Sequence, residues 1–165
     1  MNKQRYEAII AFLNRSAILK KMVLTIVYLL PIFNVIVYVS ILAVLFFDED
    51  VRLIRVMLVP AMVFGAVTVF RNCLNAPRPY DMLGYQPLIP VQAGKGKSFP
   101  SRHTASAVII ALAIWYLHTA FGVGMMILAV LIGVSRILVG VHYLKDVICG
   151  AGISLLFGVI GFWII

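Results

Sequence analysis

The chain has 165 residues, of which 63% are hydrophobic and 12% charged, and its mean hydropathy is +1.06. That composition excludes an ordinary water-soluble domain, and a chain of this length is too short to wrap several long apolar helices in a soluble core. The formal net charge of +8 is carried largely by the first 21 residues and by a few polar clusters later in the chain, which points to an anionic membrane surface rather than to nucleic acid.

Residues 1–21 interleave Tyr6, Ile9, Ile10, Phe12, Leu13 and Ile18 with Lys3, Arg5, Arg15, Lys20 and Lys21. The pattern predicts an interfacial amphipathic helix, and the lack of a continuous apolar core argues against a cleaved leader. Residues 22–165 read as a single membrane-embedded domain. Five apolar segments, at about 22–47, 51–70, 103–120, 122–139 and 144–165, are long enough or nearly so to cross a hydrocarbon core about 30 Å thick. The expected fold is therefore all-α: a polytopic transmembrane helix bundle of about five spans plus the N-terminal interfacial helix. Pro31 and Asn34 fall inside the first span, where a kink or a bond to a neighbouring helix is tolerated. Cys73 and Cys149 suit neither a disulfide framework nor a zinc site and read as small packing residues.

One polar loop runs from residue 71 to 101. Its proline-rich part, Pro77 to Pro90, is expected to form a compact lid, with Tyr80, Tyr85 and Leu88 dipping into the interface. Gly94, Lys95, Gly96, Lys97 and Ser98 superficially suggest a nucleotide phosphate loop, but the required first glycine falls at Val91 and no parallel sheet is in prospect. Lys95 and Lys97 are better read as attracting anionic headgroups or substrate. His118, beside Trp115 and Tyr116, reads as an interfacial anchor on the opposite face.

Strict alternation of spans brings three clusters to one membrane face: Arg71 with Arg78-Pro79, Pro100-Ser101-Arg102-His103, and Ser135-Arg136 followed by His142 and Asp146. Ser101 is a candidate N-cap, and a helix starting there aims free N–H groups and the positive end of its dipole at an oxyanion. Asp146 follows His142 at i+4, a spacing that places both on one helix face, so the carboxylate can hold one imidazole nitrogen and free the other for attack. Arg71, Asn75 and Arg78 would form one stripe on a helical extension, carrying two guanidinium forks suited to phosphate oxygens. Each arginine taken singly could simply snorkel to headgroups. The conjunction of two histidines, an aspartate, a serine and four arginines on one face is what points to a site.

These residues resemble the tripartite signature of the type 2 phosphatidic acid phosphatase family, K-x6-R-P, P-S-G-H and S-R-x5-H-x3-D. Here it reads Arg71-x6-Arg78-Pro79, Pro100-Ser101-Arg102-His103 and Ser135-Arg136-x5-His142-x3-Asp146, within residues 51–165. The third part matches fully; Arg71 stands where the family usually has Lys, and Arg102 where it usually has Gly. The resemblance implies an integral-membrane lipid phosphatase without metal or cofactor. His142 would form a phosphohistidine, Asp146 would orient it, and His103 would protonate the leaving group and later deprotonate water. Arg71, Arg78, Ser101, Arg102 and Arg136 would bind the phosphate. Phosphatidylglycerophosphate, phosphatidic acid and undecaprenyl pyrophosphate all fit as substrates, with membrane lipids as the other partners.

Vanadate-dependent haloperoxidases use a related constellation, but they are soluble. The non-enzymatic alternative is a membrane transporter or phospholipid-binding protein. For a multi-pass protein of the cell membrane, the count of spans places the site on the side of the N-terminus. The basic residues there favour the cytoplasm, whereas many bacterial family members face outward.

Overall fold

The computed structural model describes every residue except Ala93 and Lys95. The described residues form helices and connecting loops: α1 (Lys3–Asn14), α2 (Ala17–Phe47), α3 (Arg52–Leu74), α4 (Pro79–Leu83), α5 (Arg102–Leu117), α6 (Thr119–Leu138) and α7 (Leu144–Val159), the last running into a π-helical turn at Ile160–Ile164. Four helical segments are long and apolar enough to cross a bilayer, and α5 is a shorter apolar helix. The chain is an all-α, multi-pass membrane protein.

The shortest span is also the most enclosed. α5 packs against α2, α3, α6 and α7 and buries every residue from Ala107 to Ile114. Its 16 residues reach only about 24 Å, short of a full hydrocarbon core, which the surrounding helices make tolerable by covering its ends with protein. Ala105, Ala107, Ala111 and Ala113 let neighbouring backbones approach closely. The outer helices show the complementary pattern, with Leu29, Ile32, Val35, Ile36 and Val39 of α2 and Leu58 and Met62 of α3 all exposed to the lipid side.

Two boundaries depart from the sequence reading. Residues 1–21 are not one helix: α1 stops at Asn14, and Ser16 caps a new helix by accepting from the Leu19 N–H at 3.4 Å, so Lys20 and Lys21 belong to the first turns of α2. Nor does α3 extend to Arg78. Asn75 adopts the left-handed conformation (φ 41°) that ends a helix, and Pro77 disfavours helical geometry at Ala76, so Arg71, Asn75 and Arg78 do not share a helical stripe. Cys73 is exposed rather than packed, and Cys149 is half-buried.

Where α5 begins, Gly150 of α7 makes its close approach possible: a Cβ there would lie 2.7 Å from the Ser101 carbonyl oxygen. The N-terminus of α5 and the first turns of α7 are thereby held together, and the Ser101 N–H donates to the Asp146 carbonyl at 2.9 Å. At the other end of α5, His118 caps α6 by accepting from the Phe121 N–H at 3.2 Å, on the face away from the clusters.

Candidate active site

Arg71, Arg78, Arg102, His103, Arg136 and His142 line one cavity of about 300 Å³, with Tyr80, Ile89, Val91, Gln92 and Val141 completing the wall. Four guanidinium groups and no carboxylate face it among the described residues. Such a wall favours an anion with several oxygens.

His142 sits in the turn between α6 and α7, not on a helix. Gly140 (φ 80°) breaks the chain after α6, as its position suggests, and a Cβ there would lie 3.0 Å from the Tyr85 ring. The imidazole is 2% exposed, and its Nδ1 lies 3.2 Å from Asp146 Oδ2. The i+4 pairing expected from a helix is therefore made across a helix start: Asp146 is in the first turn of α7, and the same Oδ2 accepts the Tyr143 N–H at 3.0 Å. A carboxylate on Nδ1 fixes that nitrogen as the protonated one and leaves Nε2 with the lone pair. Burial, the largest influence, together with the fields of Arg78 and Arg71, holds the imidazole below its ordinary pKa, against the opposing pull of Asp146. The environment therefore favours the neutral ring.

Ser98 is the residue that sequence reasoning missed. It is buried, donates its hydroxyl to Asp146 Oδ2 and lies 3.4 Å from His142 Nδ1, so it braces the pair from the loop preceding α5. The one signal for it was its place three residues before Ser101, where it looked like the tail of a spurious phosphate loop. Asp146 is wholly buried, and its Oδ1 has no partner among the described residues. Lys95, expected to attract headgroups, lies outside the described residues; Lys97 is exposed at the loop surface.

Three of the arginines, Arg71, Arg78 and Arg136, are tethered through part of the fork. Arg71, 5% exposed, donates from Nη1 to the Pro100 carbonyl at 2.9 Å and more loosely to that of Ser98 at 3.4 Å. Arg78 donates from Nε to Gly96 O at 3.3 Å and from Nη1 to Val141 O at 3.2 Å. Arg136 reaches the Val27 carbonyl of α2 with Nη2 at 2.8 Å, while its buried Nε has no partner among the described residues. Neutral carbonyls orient these groups without cancelling their charge, and the remaining N–H donors are available to an anion. Arg102 and His103 are exposed at the start of α5, where the first turn of the helix also presents backbone N–H groups.

Ser101 departs from expectation. It occupies the N-cap position, but its hydroxyl makes no capping bond; it accepts from Thr104 Oγ1 at 3.0 Å, is fully buried and is not on the cavity wall. Tyr80 and Tyr85 do not dip into an interface either. Both are buried beneath the turn carrying His142, in a cluster with Tyr6, Val27, Val139 and Val141.

An apolar groove of about 510 Å³ adjoins the cavity and shares Arg102 and His103 with it. Pro31, Ile32, Val35 and Ile36 of α2, Phe64 of α3, Ala107 of α5 and Ile132 of α6 line it. The charged cavity and the apolar groove thus border the same two residues, those that begin α5.

The chain is similar to known proteins in sequence and in fold. Undecaprenyl-diphosphatase BcrC of Bacillus subtilis is 36% identical over 86 residues, a match covering 52% of this chain and 44% of that protein, so the match spans less than half the length of this relative. The crystal structure of Aquifex aeolicus LpxE superposes with a TM-score of 0.75 at 26% identity, covering 97% of this chain and 93% of that one. The PAP2 type phosphatidylglycerolphosphate phosphatase of Bacillus subtilis gives a TM-score of 0.71 at 25% identity, over 96% of this chain and 83% of that one. The PAP2 superfamily model matches residues 51–165, the stretch that carries all three clusters and every arginine and histidine of the cavity, and the chain belongs to that superfamily.

Proposed function

We propose that this protein is an integral-membrane lipid phosphatase that hydrolyses a phosphate monoester or diphosphate of a lipid through a phosphohistidine. The observation that carries this reading is the His142–Asp146 pair at the wall of a cavity with four arginines and a second histidine. A transporter or headgroup-binding protein would need the arginines but not a buried imidazole held as a single tautomer.

In the proposed reaction the arginines and the first turn of α5 hold the phosphoryl oxygens, and His142 Nε2 attacks phosphorus. The bond from phosphorus to the leaving oxygen breaks as His103 gives that oxygen a proton. His103 then takes a proton from water, the water oxygen attacks the phosphohistidine, and His142 leaves as the neutral imidazole with release of phosphate. The guanidinium groups stabilise the charge that shifts onto the equatorial oxygens. Ser101 contributes by anchoring the start of α5. The apolar groove beside His103 supports placing the lipid tail there, with the leaving oxygen where the groove meets the cavity.

The named activities of the relatives suggest polyprenyl diphosphates and phosphatidylglycerophosphate as first substrates, with phosphatidic acid beside them. The segment up to Ser16, with α1, is proposed to lie along the surface of the cell membrane, with the helices from α2 onward as one catalytic domain. Labelling of a cysteine placed at Lys97 in intact cells, with and without permeabilisation, reports which side holds the site. The purified protein is expected to release phosphate from a panel of lipid phosphates and diphosphates, and to keep doing so in excess chelator. Release that stops in chelator and returns with added magnesium would refute this mechanism.

A further inference from the structure

The turn that carries His142 is held in an unusual way. Its three successive carbonyls, of Gly140, Val141 and His142, each accept a hydrogen bond from a side chain of a distant segment. Tyr85 Oη donates to Gly140 O at 2.8 Å, Arg78 Nη1 to Val141 O at 3.2 Å, and Tyr6 Oη to His142 O at 3.0 Å. The Tyr6 ring stacks on Tyr85 with centroids 4.9 Å apart and meets Tyr143 edge-on at 6.4 Å. Tyr6 is 0% exposed, whereas in α1 only Leu13 is otherwise buried. The N-terminal helix is thus moored to the bundle chiefly by one side chain inserted beneath the catalytic turn. Burial raises the Tyr6 hydroxyl to about 12 and pushes that of Tyr85 upward too, so both remain protonated donors.

We propose that Tyr6 is a positioning residue for the nucleophile: through the His142 carbonyl, α1 sets the direction in which the imidazole meets phosphorus. The proposal rests on the assignment of His142 as nucleophile. The hydroxyl touches neither substrate nor cavity, so it acts only through the turn. A hydrogen bond to the carbonyl of residue 142 restrains rotation about the adjoining backbone bonds. It thereby fixes the Cα–Cβ vector along which the ring projects, while Asp146 and Ser98 fix the rotation of the ring itself. In-line attack is sensitive to displacements well below an ångström.

The test uses the full-length protein in detergent micelles and compares wild type with Tyr6→Phe, which removes one oxygen and keeps the stacked ring. Two inhibitors separate placement of the nucleophile from integrity of the cavity. Orthovanadate accepts a fifth ligand from the nucleophile and mimics the transition state, whereas inorganic phosphate reads the arginine cavity. We expect kcat and orthovanadate affinity each to fall roughly 10-fold, while KM, phosphate inhibition and the melting temperature stay close to wild type. Tyr85→Phe is expected to give the same signature, and the double variant to lose less than the product of the two.

Unchanged kcat and orthovanadate affinity in Tyr6→Phe would overturn the proposal, and so would equal losses of orthovanadate and phosphate affinity, which would mean that the hydroxyl supports the whole cavity. A wild-type protein that releases no phosphate from any lipid phosphate would instead overturn the phosphatase reading, and this inference with it.

Discussion

The two ends of the helix bundle differ in whether an arginine is paired with a carboxylate. At the end where α2 meets α3, Arg52 is paired with Asp50, its Nε 3.0 Å from both carboxylate oxygens. Arg55 caps the backbone oxygens of Phe162 and Ile165 and lies 5.9 Å from the Tyr116 ring centroid. At the other end Arg71, Arg78, Arg102 and Arg136 make no ion pair among the described residues. Where they are tethered, it is to neutral carbonyls. The carboxylate behind His142, Asp146, turns toward His142, Ser98 and Tyr143. Surface cations paired with carboxylates contribute little beyond local order. Cations held in place but left uncompensated make a wall suited to an anion, as the proposed function requires.

The largest effects should come from the imidazoles that distinguish the polar end. His142→Ala and His103→Ala are each expected to lower phosphate release by about 10³-fold or more, with the protein still folded in detergent, read by initial rates and size-exclusion profile. The comparison of arginines comes next. Arg78→Ala and Arg136→Ala should lower kcat/KM by roughly 10²-fold, whereas Arg52→Ala should leave it within about twofold and change stability by no more than about 1 kcal/mol. A large catalytic loss in Arg52→Ala would break the distinction between the two ends.

The pH profile sharpens the same contrast. The folded environment lowers the His142 pKa, so with His142 as the proposed nucleophile the acid limb of kcat/KM should lie below the ordinary imidazole value of about 6.5. Asp146→Asn removes the influence that raises this pKa. The limb should then move further toward acid while kcat drops by roughly 10²-fold through loss of the correct tautomer. Among the residues of the cavity, the smallest expected effect is that of Arg102→Gly, which restores the residue usual in the family. Arg102 borders both the cavity and the apolar groove and makes no hydrogen bond among the described residues. Its loss should change turnover by less than about 10-fold and act mainly on the ratio of diphosphate to monoester hydrolysis for one lipid tail, read from paired kcat/KM values.

Much of this was legible in the sequence because a bilayer imposes strong rules. Long apolar runs placed the spans, and counting them brought Arg71, Arg78, Arg102, His103, Arg136, His142 and Asp146 to one end, where one cavity now contains all but Asp146, which stands behind His142. Local geometry was harder. Arg71 and Arg78 do share the cavity, but through a left-handed turn at Asn75 rather than along a helix. Asp146 meets His142 as expected, yet across the start of α7. Contacts at long separation were not legible at all: Tyr6 lies 136 positions from His142, and no periodicity in α1 distinguishes a tyrosine inserted under the site from one lying on the membrane surface. Ser98 was hidden for a similar reason, since its partner stands 48 positions away.

The central claim is that His142 becomes covalently phosphorylated, and rapid quenching of the purified protein with a lipid substrate labelled in the terminal phosphoryl group tests it most directly. The account predicts an acid-labile, base-stable phosphate on His142 in the wild type, formed at least as fast as steady-state turnover and absent from His142→Ala. Steady turnover without label on the wild-type protein under conditions that preserve phosphohistidine, or label persisting in His142→Ala, would contradict it.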